Sequence, residues 1–119
     1  MRLLFVCVGN SCRSQMAEGL ARSMGHTADS AGTHPNSATI ASKAKRYLDS
    51  RGINTGGMVP KSVDDFSAEN YDMVISMGCG VHCPDMKIDE DWGLDDPFGQ
   101  EYGVYKTTAE EIERRLKLL

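Results

Sequence analysis

The sequence predicts a single α/β domain built on a parallel β-sheet. Its 119 residues are enough for one hydrophobic core. Apolar runs typical of strands lie at 2–7 and 71–76, and a weaker strand is expected at 27–31, where Gly32 ends it. Apolar residues at helical spacing lie at 13–24, 37–51 and 107–119. Because strands alternate with helices, we expect a parallel sheet that is covered on both faces.

Each predicted helix has a glycine or a capping pattern at one end. Gly25 follows the first helix and Gly52 follows the second, and glycine is favoured just past a helix C-terminus. Thr108 with Glu111 resembles a capping box, which places the start of the last helix near Thr107. The apolar face of that helix is expected to comprise Ile112, Leu116 and Leu119.

The segments between these elements are predicted to be mostly loop. Ser62 can cap a short turn at 63–66. Residues 78–84 are expected to form a loop or a single helical turn. The stretch at 85–103 is acidic and contains glycine and proline, so it is expected to be loop with one short strand near 86–88.

Composition and charge narrow the class of protein. The formal net charge is −4 and no run of lysine or arginine occurs, so a nucleic-acid surface is not expected. The apolar residues 1–6 are too short for a signal sequence or a membrane span, and we therefore expect a cytoplasmic protein without membrane contact. Four cysteines in a cytoplasmic chain favour catalysis or metal binding over structural disulfides.

The segment between the first strand and the first helix carries the clearest chemical signal. Cys7 ends the strand, small residues fill the loop, and Arg13 opens the helix. Backbone N–H groups of such a loop converge on an anion, and the planar Arg13 guanidinium can hold two of its oxygens. The same positive field favours the thiolate of Cys7, which is the reactive form. The predicted oxyanion-binding residues are Val8, Gly9, Asn10, Ser11, Cys12, Arg13 and Ser14.

Some residues of this loop have a second interpretation. Cys7 could be a buried core cysteine, although the loop after it suits an anion better than packing. Ser14 is a candidate hydrogen-bond donor to the Cys7 thiolate, but serine near a helix start is also a common cap. Cys12 is expected to pack the loop in preference to acting as a redox partner.

A second pair of cysteines follows the strand at 71–76. Cys79 and Cys83 are four residues apart, so a regular helical turn would place them on the same side. A disulfide between them would require local unwinding, which Gly78 and Gly80 make easy. The alternatives are two incidental loop cysteines and a four-thiolate zinc site, which the spacing disfavours. Both cysteine segments follow strands, so we expect both at one edge of the sheet.

The third feature is the acidic pair in Asp95-Asp96-Pro97. A proline restricts the residue before it, so Asp96 is expected to hold a fixed geometry. A carboxyl group held over an anion-filled pocket can act as a general acid. The alternative is an acidic surface turn.

In this order, the three features resemble the low-molecular-weight protein-tyrosine-phosphatase superfamily over essentially the whole chain. The segments 7–19 and 92–97 look more like the thioredoxin-coupled arsenate reductases built on that fold. Cys79 and Cys83 occupy the region of the reductases' redox pair, although their spacing is shorter. The phosphatases usually carry an aromatic residue after a Ser-Ala-Gly segment, and the segment 30–35 has none.

The resemblance implies a three-layer α/β sandwich with a central four-stranded parallel sheet over residues 1–119. It also implies reduction of arsenate to arsenite without a metal or an organic cofactor. Cys7 would attack arsenic while Asp96 protonates the departing oxygen. Cys79 would then form a disulfide with Cys7, and Cys83 would take that disulfide over. Thioredoxin or a similar cytosolic dithiol would reopen it.

Members of the family have a potassium site, and the sequence can be compared with its ligands. It would draw on Asn10, Glu18 and Ser30, all of which are present. Its other ligands are not recognisable near 60–63, where Lys61 can replace the cation, so bound potassium is not predicted.

Two alternatives to the reductase stay open. The first is a phosphatase that acts on phosphotyrosine or a small phosphoester through a phosphocysteine, with Cys79 and Cys83 as bystanders or redox switches. Phe98 after Pro97 is aromatic, as in the phosphatases. The second is a non-catalytic anion-binding or thiol-sensing module. Cys7 and Asp96 together disfavour that module, because a binding protein needs neither a nucleophile nor an acid.

Overall fold

The structure, a computed structural model, describes residues 1–78 and 86–119. The strands in this part of the chain are β1 (Arg2–Cys7), β2 (Thr27–Gly32), β3 (Met73–Ser76) and β4 (Glu90–Asp91). The α-helices are α1 (Arg13–Ser23), α2 (Ser42–Ser50) and α3 (Tyr102–Leu116). The strands form one parallel sheet in the order β2-β1-β3-β4, which confirms the predicted fold class.

The sheet order puts the segment 7–13, which we call the thiol loop, beside the end of β3. β1 lies in the middle of the sheet, with Phe5 paired to Ser30 on one side and to Ile75 on the other. All strands run in the same direction, so the loops that follow Cys7 and Ser76 leave from the same edge. Gly78 is the last described residue before the segment with Cys79 and Cys83, and both cysteines lie outside the described residues.

Side chains alternate between the two faces of the sheet, as the period of a strand requires. Leu3, Phe5 and Ile75 belong to a large buried cluster that includes residues of all three α-helices. Leu4, Val6 and Val74 belong to a smaller cluster on the opposite face. Two 3₁₀ turns, Val63–Asp65 and Ala68–Asn70, supply side chains to that second cluster. The three layers are therefore helices, sheet and turns.

Two helix starts differ from the predicted ones. α2 begins at Ser42 and not at residue 37, because the Ser37 hydroxyl bonds the backbone of Thr39 in a local turn. α3 begins at Tyr102, so the predicted capping box is wrong. Thr108 lies inside the helix, where its hydroxyl donates to the Val104 carbonyl at 2.8 Å.

Other boundaries also shift by a few residues. Leu119 lies past the end of α3 and is 39% exposed, so its predicted place on the apolar face is wrong. The predicted strand near 86–88 is displaced, because Met86 and Ile88 pack against the smaller cluster while β4 pairs farther along. The predicted cap is present, since the Asp64 N–H donates to Ser62 Oγ at 3.1 Å. None of the described helices is long and apolar enough to cross a membrane.

Candidate active site

Cys7 sits at the end of β1 with its sulfur between two hydrogen-bonding partners. The Asn10 N–H donates to Cys7 Sγ at 3.1 Å, and Ser14 Oγ lies 2.8 Å from the same sulfur. Ser14 Oγ also accepts from Asn10 Nδ2 at 2.7 Å, and it is the donor to the sulfur when Cys7 is a thiolate, because a thiolate can only accept. Two donors therefore converge on one sulfur, and donors of this kind stabilise a thiolate.

Asn10 adopts a backbone conformation that is uncommon for any residue except glycine. Its φ is +52°, and it is the one non-glycine residue with positive φ in the described ranges. Asparagine tolerates the left-handed region better than most residues. This turn of the chain brings the Asn10 N–H back toward the sulfur of Cys7.

The end of β2 must be glycine for this loop to fit. A Cβ on Gly32 would lie 2.7 Å from the Val8 carbonyl oxygen and 3.0 Å from the Asn10 Cβ. The Gly32 N–H also donates to the Lys61 carbonyl at 2.7 Å. The sequence indicates Gly32 only as the end of a strand, so its role as a wall of the thiol loop was missed.

Arg13 is the first residue of α1 and its side chain reaches the pocket above Cys7. Its NH1 donates to the Leu94 carbonyl at 2.8 Å, and only 3% of the residue is exposed. A Cβ on Gly78 would lie 2.7 Å from Arg13 NH1 and closer still to the Leu94 carbonyl oxygen. The guanidinium is thus held between the end of β3 and the segment before Asp96. Its buried charge can pair with an oxyanion in the pocket.

The two neighbouring aspartates line different cavities. Asp96 faces the pocket that also contains Cys7 and Arg13, whereas Asp95 lines a separate groove against α3. Asp96 Oδ1 accepts from the Phe98 N–H at 3.0 Å, which fixes the turn around the buried Pro97. The pocket is lined by Cys7, Val8, Gly9, Ser11, Cys12, Arg13, Asn36, Asp96 and Phe98.

The second cysteine of the loop packs inward. Cys12 is 3% exposed and belongs to the large core cluster, and its Sγ lies 3.6 Å from the Tyr105 hydroxyl. Burial raises the pKa of the Cys12 thiol, and burial likewise raises the pKa of Tyr105. Cys12 is therefore held as a neutral thiol, as a loop-packing residue would be.

The buried carboxylate of Glu18 lies behind the thiol loop and pairs with two basic side chains. Glu18 is 2% exposed and accepts from Ser30 Oγ at 2.8 Å. Arg22 NH1 lies 3.1 Å from one of its oxygens and Lys61 Nζ lies 3.6 Å from the other. The Lys61 ammonium thus stands beside the carboxylate that the family's potassium site would use. Within the described ranges, no cluster of three or more His, Cys, Asp or Glu could hold a metal ion.

Comparison with known proteins identifies the family. Residues 2–119 match the family described as Low molecular weight phosphotyrosine protein phosphatase. The chain belongs to this family. A relative named Glutaredoxin arsenate reductase, from Synechocystis sp., is 37% identical over 126 residues, which cover 99% of this chain and 95% of that protein.

Solved structures of similar proteins agree with the fold. A structure titled "An arsenate reductase in the phosphate binding state" has a TM-score of 0.88 and 37% identity, with 98% of this chain and 94% of that chain covered. A low molecular weight protein tyrosine phosphatase from T. tengcongensis has a TM-score of 0.78 and 29% identity, with 98% and 95% covered. This chain is therefore similar both to proteins named reductases and to a protein named a phosphatase.

The pocket of this family member has one wall residue that the sequence did not reveal. Asn36 lies in the loop after β2, and its Oδ1 would be 3.7 Å from a Cβ placed on Gly9. An exposed loop asparagine gives no sequence signal of such a role. Phe98 lines the same pocket and is 65% exposed. The pocket walls therefore include a polar residue, Asn36, and an aromatic residue, Phe98.

Proposed function

We propose that this protein reduces arsenate to arsenite, with Cys7 as the nucleophile. The observation that carries the proposal is the sulfur of Cys7 under two hydrogen-bond donors, in a pocket shared with Arg13 and Asp96. Arsenate is a tetrahedral oxyanion, which suits an anion loop with a buried guanidinium. Relatives over nearly the full length are named arsenate reductases.

The first step forms a sulfur–arsenic bond. Arsenate binds to the loop N–H groups and to Arg13, and the Cys7 thiolate attacks arsenic. Asp96 protonates the departing oxygen, which leaves as water. Its turn beside Pro97 keeps the carboxyl group at the pocket wall, where this proton transfer is needed.

The next steps move two electrons from thiols to arsenic. The Cys79 thiolate attacks Cys7 Sγ, the electron pair of the sulfur–arsenic bond passes to arsenic, and arsenite leaves. The Cys83 thiolate then attacks Cys79 Sγ and releases Cys7 as a thiolate. The product is a Cys79–Cys83 disulfide. Gly78, next in the chain to Cys79, packs against the Arg13 guanidinium, which supports a relay that starts at the pocket.

The disulfide has to be reopened by an external reductant. We assign this role to thioredoxin or a similar dithiol protein, which exchanges thiols with the Cys79–Cys83 pair. The relative from Synechocystis sp. is named for glutaredoxin, so that class of reductant belongs in the same assay. A relay of free thiols requires a reducing compartment, and we place the protein in the cytoplasm.

The test is a coupled assay with matched cysteine variants. NADPH oxidation is followed with arsenate, using either thioredoxin with its reductase or glutaredoxin with glutathione and glutathione reductase. We expect arsenate-dependent oxidation by the wild type and none by Cys7→Ser or Cys79→Ser. Cys83→Ser should complete one turnover and stop. Peptide mapping should then find a Cys7–Cys79 link in Cys83→Ser and a Cys79–Cys83 link in the wild type.

Hydrolysis of an aryl phosphate is the internal control, because that route needs only Cys7, Arg13 and Asp96. Both relay variants should keep whatever hydrolysis the wild type shows. Repeated turnover of arsenate by both Cys79→Ser and Cys83→Ser would contradict the relay. The phosphatase is the second candidate, favoured by the exposed Phe98 on the pocket. Aryl phosphate turnover without any arsenate-dependent NADPH oxidation would select it.

A further inference from the structure

Gln15 makes an unusual set of contacts behind the thiol loop. Its side chain is buried in α1, and one nitrogen, Nε2, faces three acceptors. These are the Asn10 carbonyl at 3.1 Å, Asn10 Oδ1 at 3.1 Å and the Val59 carbonyl at 2.9 Å. The amide therefore joins the thiol loop to a segment more than forty residues farther along the chain.

The orientation of this amide follows from its neighbours. Turning it over would place Oε1 against three oxygens, so Nε2 must face them. Oε1 of Gln15 is then buried, and no donor among the described residues reaches it. A buried carbonyl without a partner destabilises a fold. The three acceptors around Nε2 therefore decide which way the Gln15 amide faces.

Two of the three acceptors have a second donor. Asn10 Oδ1 also accepts from the Lys61 N–H at 2.8 Å, and the Val59 carbonyl accepts from Lys61 Nζ at 3.0 Å. The Asn10 carbonyl has Gln15 alone among the described contacts. Loss of the Gln15 amide would thus leave the Asn10 carbonyl without this donor, and it would also remove the buried Oε1. The free energy of unfolding should therefore change little.

We propose that Gln15 is a positioning residue that sets the reactivity of Cys7 through Asn10. Gln15 bonds both the carbonyl and the side-chain oxygen of Asn10, so it fixes the backbone and the side chain of that residue together. Asn10 is in the left-handed region, where a non-glycine residue needs such support. The fixed Asn10 in turn aims its N–H at Cys7 Sγ and its Nδ2 at Ser14 Oγ.

The inference rests on Cys7 being the nucleophile of the proposed function, but its test needs no arsenate. The rate of Cys7 alkylation by iodoacetamide is measured against pH for the wild type and for Gln15→Met, with the Cys7 peptide quantified by mass spectrometry. Methionine has a similar size and lacks the donor. The matched control is Gln100→Met, the same substitution at an exposed glutamine.

For Gln15→Met we expect the alkylation midpoint to rise by about one pH unit, because the aim of two donors on the sulfur is lost. Near neutral pH the alkylation rate should fall about three- to tenfold. The melting temperature should change by less than about 5 °C. Gln100→Met should match the wild type in both measurements. An unchanged midpoint in Gln15→Met would overturn the proposal.

A second measurement covers the case in which Gln15→Met fails to fold. In the wild type, the side-chain amide protons of Gln15 should exchange slowly in NMR spectra and should shift when Cys7 is alkylated. Fast exchange, or shifts that ignore alkylation, would overturn the proposal. A wild type that lacks arsenate turnover but shows these effects would remove the proposed function and leave the role of Gln15 intact.

Discussion

Removal of the Ser14 hydroxyl should make Cys7 harder to ionise, and the structure gives the expected size of the effect. Ser14 Oγ lies 2.8 Å from Cys7 Sγ, and it can only donate to that sulfur when Cys7 is a thiolate, because a thiolate carries no proton. A hydrogen bond to a charged group contributes about 1.5–3 kcal/mol. One pH unit corresponds to about 1.4 kcal/mol of difference between the two protonation states. The midpoint of Cys7 alkylation in Ser14→Ala should therefore rise by about one to two pH units.

The lower end of this range is the better expectation. The Asn10 N–H stays on the sulfur in the variant, so one donor still stabilises the thiolate. The sign follows from the chemistry, because removal of a donor to the charged form favours the neutral thiol.

The assay measures the rate of Cys7 alkylation against pH, and we expect the rate at high pH to change as well as the midpoint. A more basic thiolate is more nucleophilic, with a Brønsted slope of about 0.4–0.5. Ser14→Ala should thus react more slowly than the wild type below both midpoints and about threefold faster above them for a one-unit shift. The two profiles should cross. Ser23→Ala is the control, because Ser23 lies in the same helix and its hydroxyl bonds the Leu20 carbonyl. Coincident profiles for Ser14→Ala and the wild type would refute the assigned direction of the Ser14 proton.

Two further predictions concern Gly32, which packs against the thiol loop, and Asp96, which lines the pocket. Gly32→Ala should push the Val8 carbonyl and Asn10 away and weaken oxyanion binding at least about tenfold, about 1.4 kcal/mol. The measurement is the protection that bound arsenate or phosphate gives Cys7 against alkylation. Unchanged protection would show that the loop absorbs the methyl group. Asp96→Asn should lower the chemical step by about 10²–10⁴ while Asp95→Asn has little effect, measured by single-turnover kinetics with good and poor leaving groups. A larger loss in Asp95→Asn would mean that the other carboxylate is the acid.

Elements with a strong local pattern were predictable from the sequence, and elements shaped by side-chain contacts were less so. β1, α1 and β2 begin and end within a residue or so of the prediction, because apolar periodicity and glycines mark them. The start of α2 is delayed by a turn that the Ser37 hydroxyl closes on Thr39. Near α3, a Thr–Glu pair that looks like a cap lies within the helix, because the helix already begins at Tyr102.

The candidate site divides in the same way. Cys7 and Arg13 could be found because the loop that joins them is short and continuous. Gly32 and Gln15 could not be found, because their importance depends on distances to the Val8 and Val59 carbonyls, which only the folded chain brings near. Asn36 gives no pattern at all, since it is a single polar residue in an exposed loop.

The hydrogen-bond donors to Cys7 Sγ would assist both the first and the last thiol step of the proposed relay. With Cys7 as the nucleophile, the Asn10 N–H and the Ser14 hydroxyl are placed to donate to the thiolate that attacks arsenic. When Cys83 later attacks Cys79, the same sulfur is the leaving group, and a stabilised thiolate leaves faster. The same two donors therefore favour transfer of the disulfide away from the pocket. Cys12 has no such donors from the loop backbone in the described contacts and is held as a buried thiol, so it competes poorly for the disulfide. The two cysteines of this loop, five residues apart, therefore differ in the hydrogen-bond donors that face their sulfur atoms, and we expect Cys7 to be the reactive one.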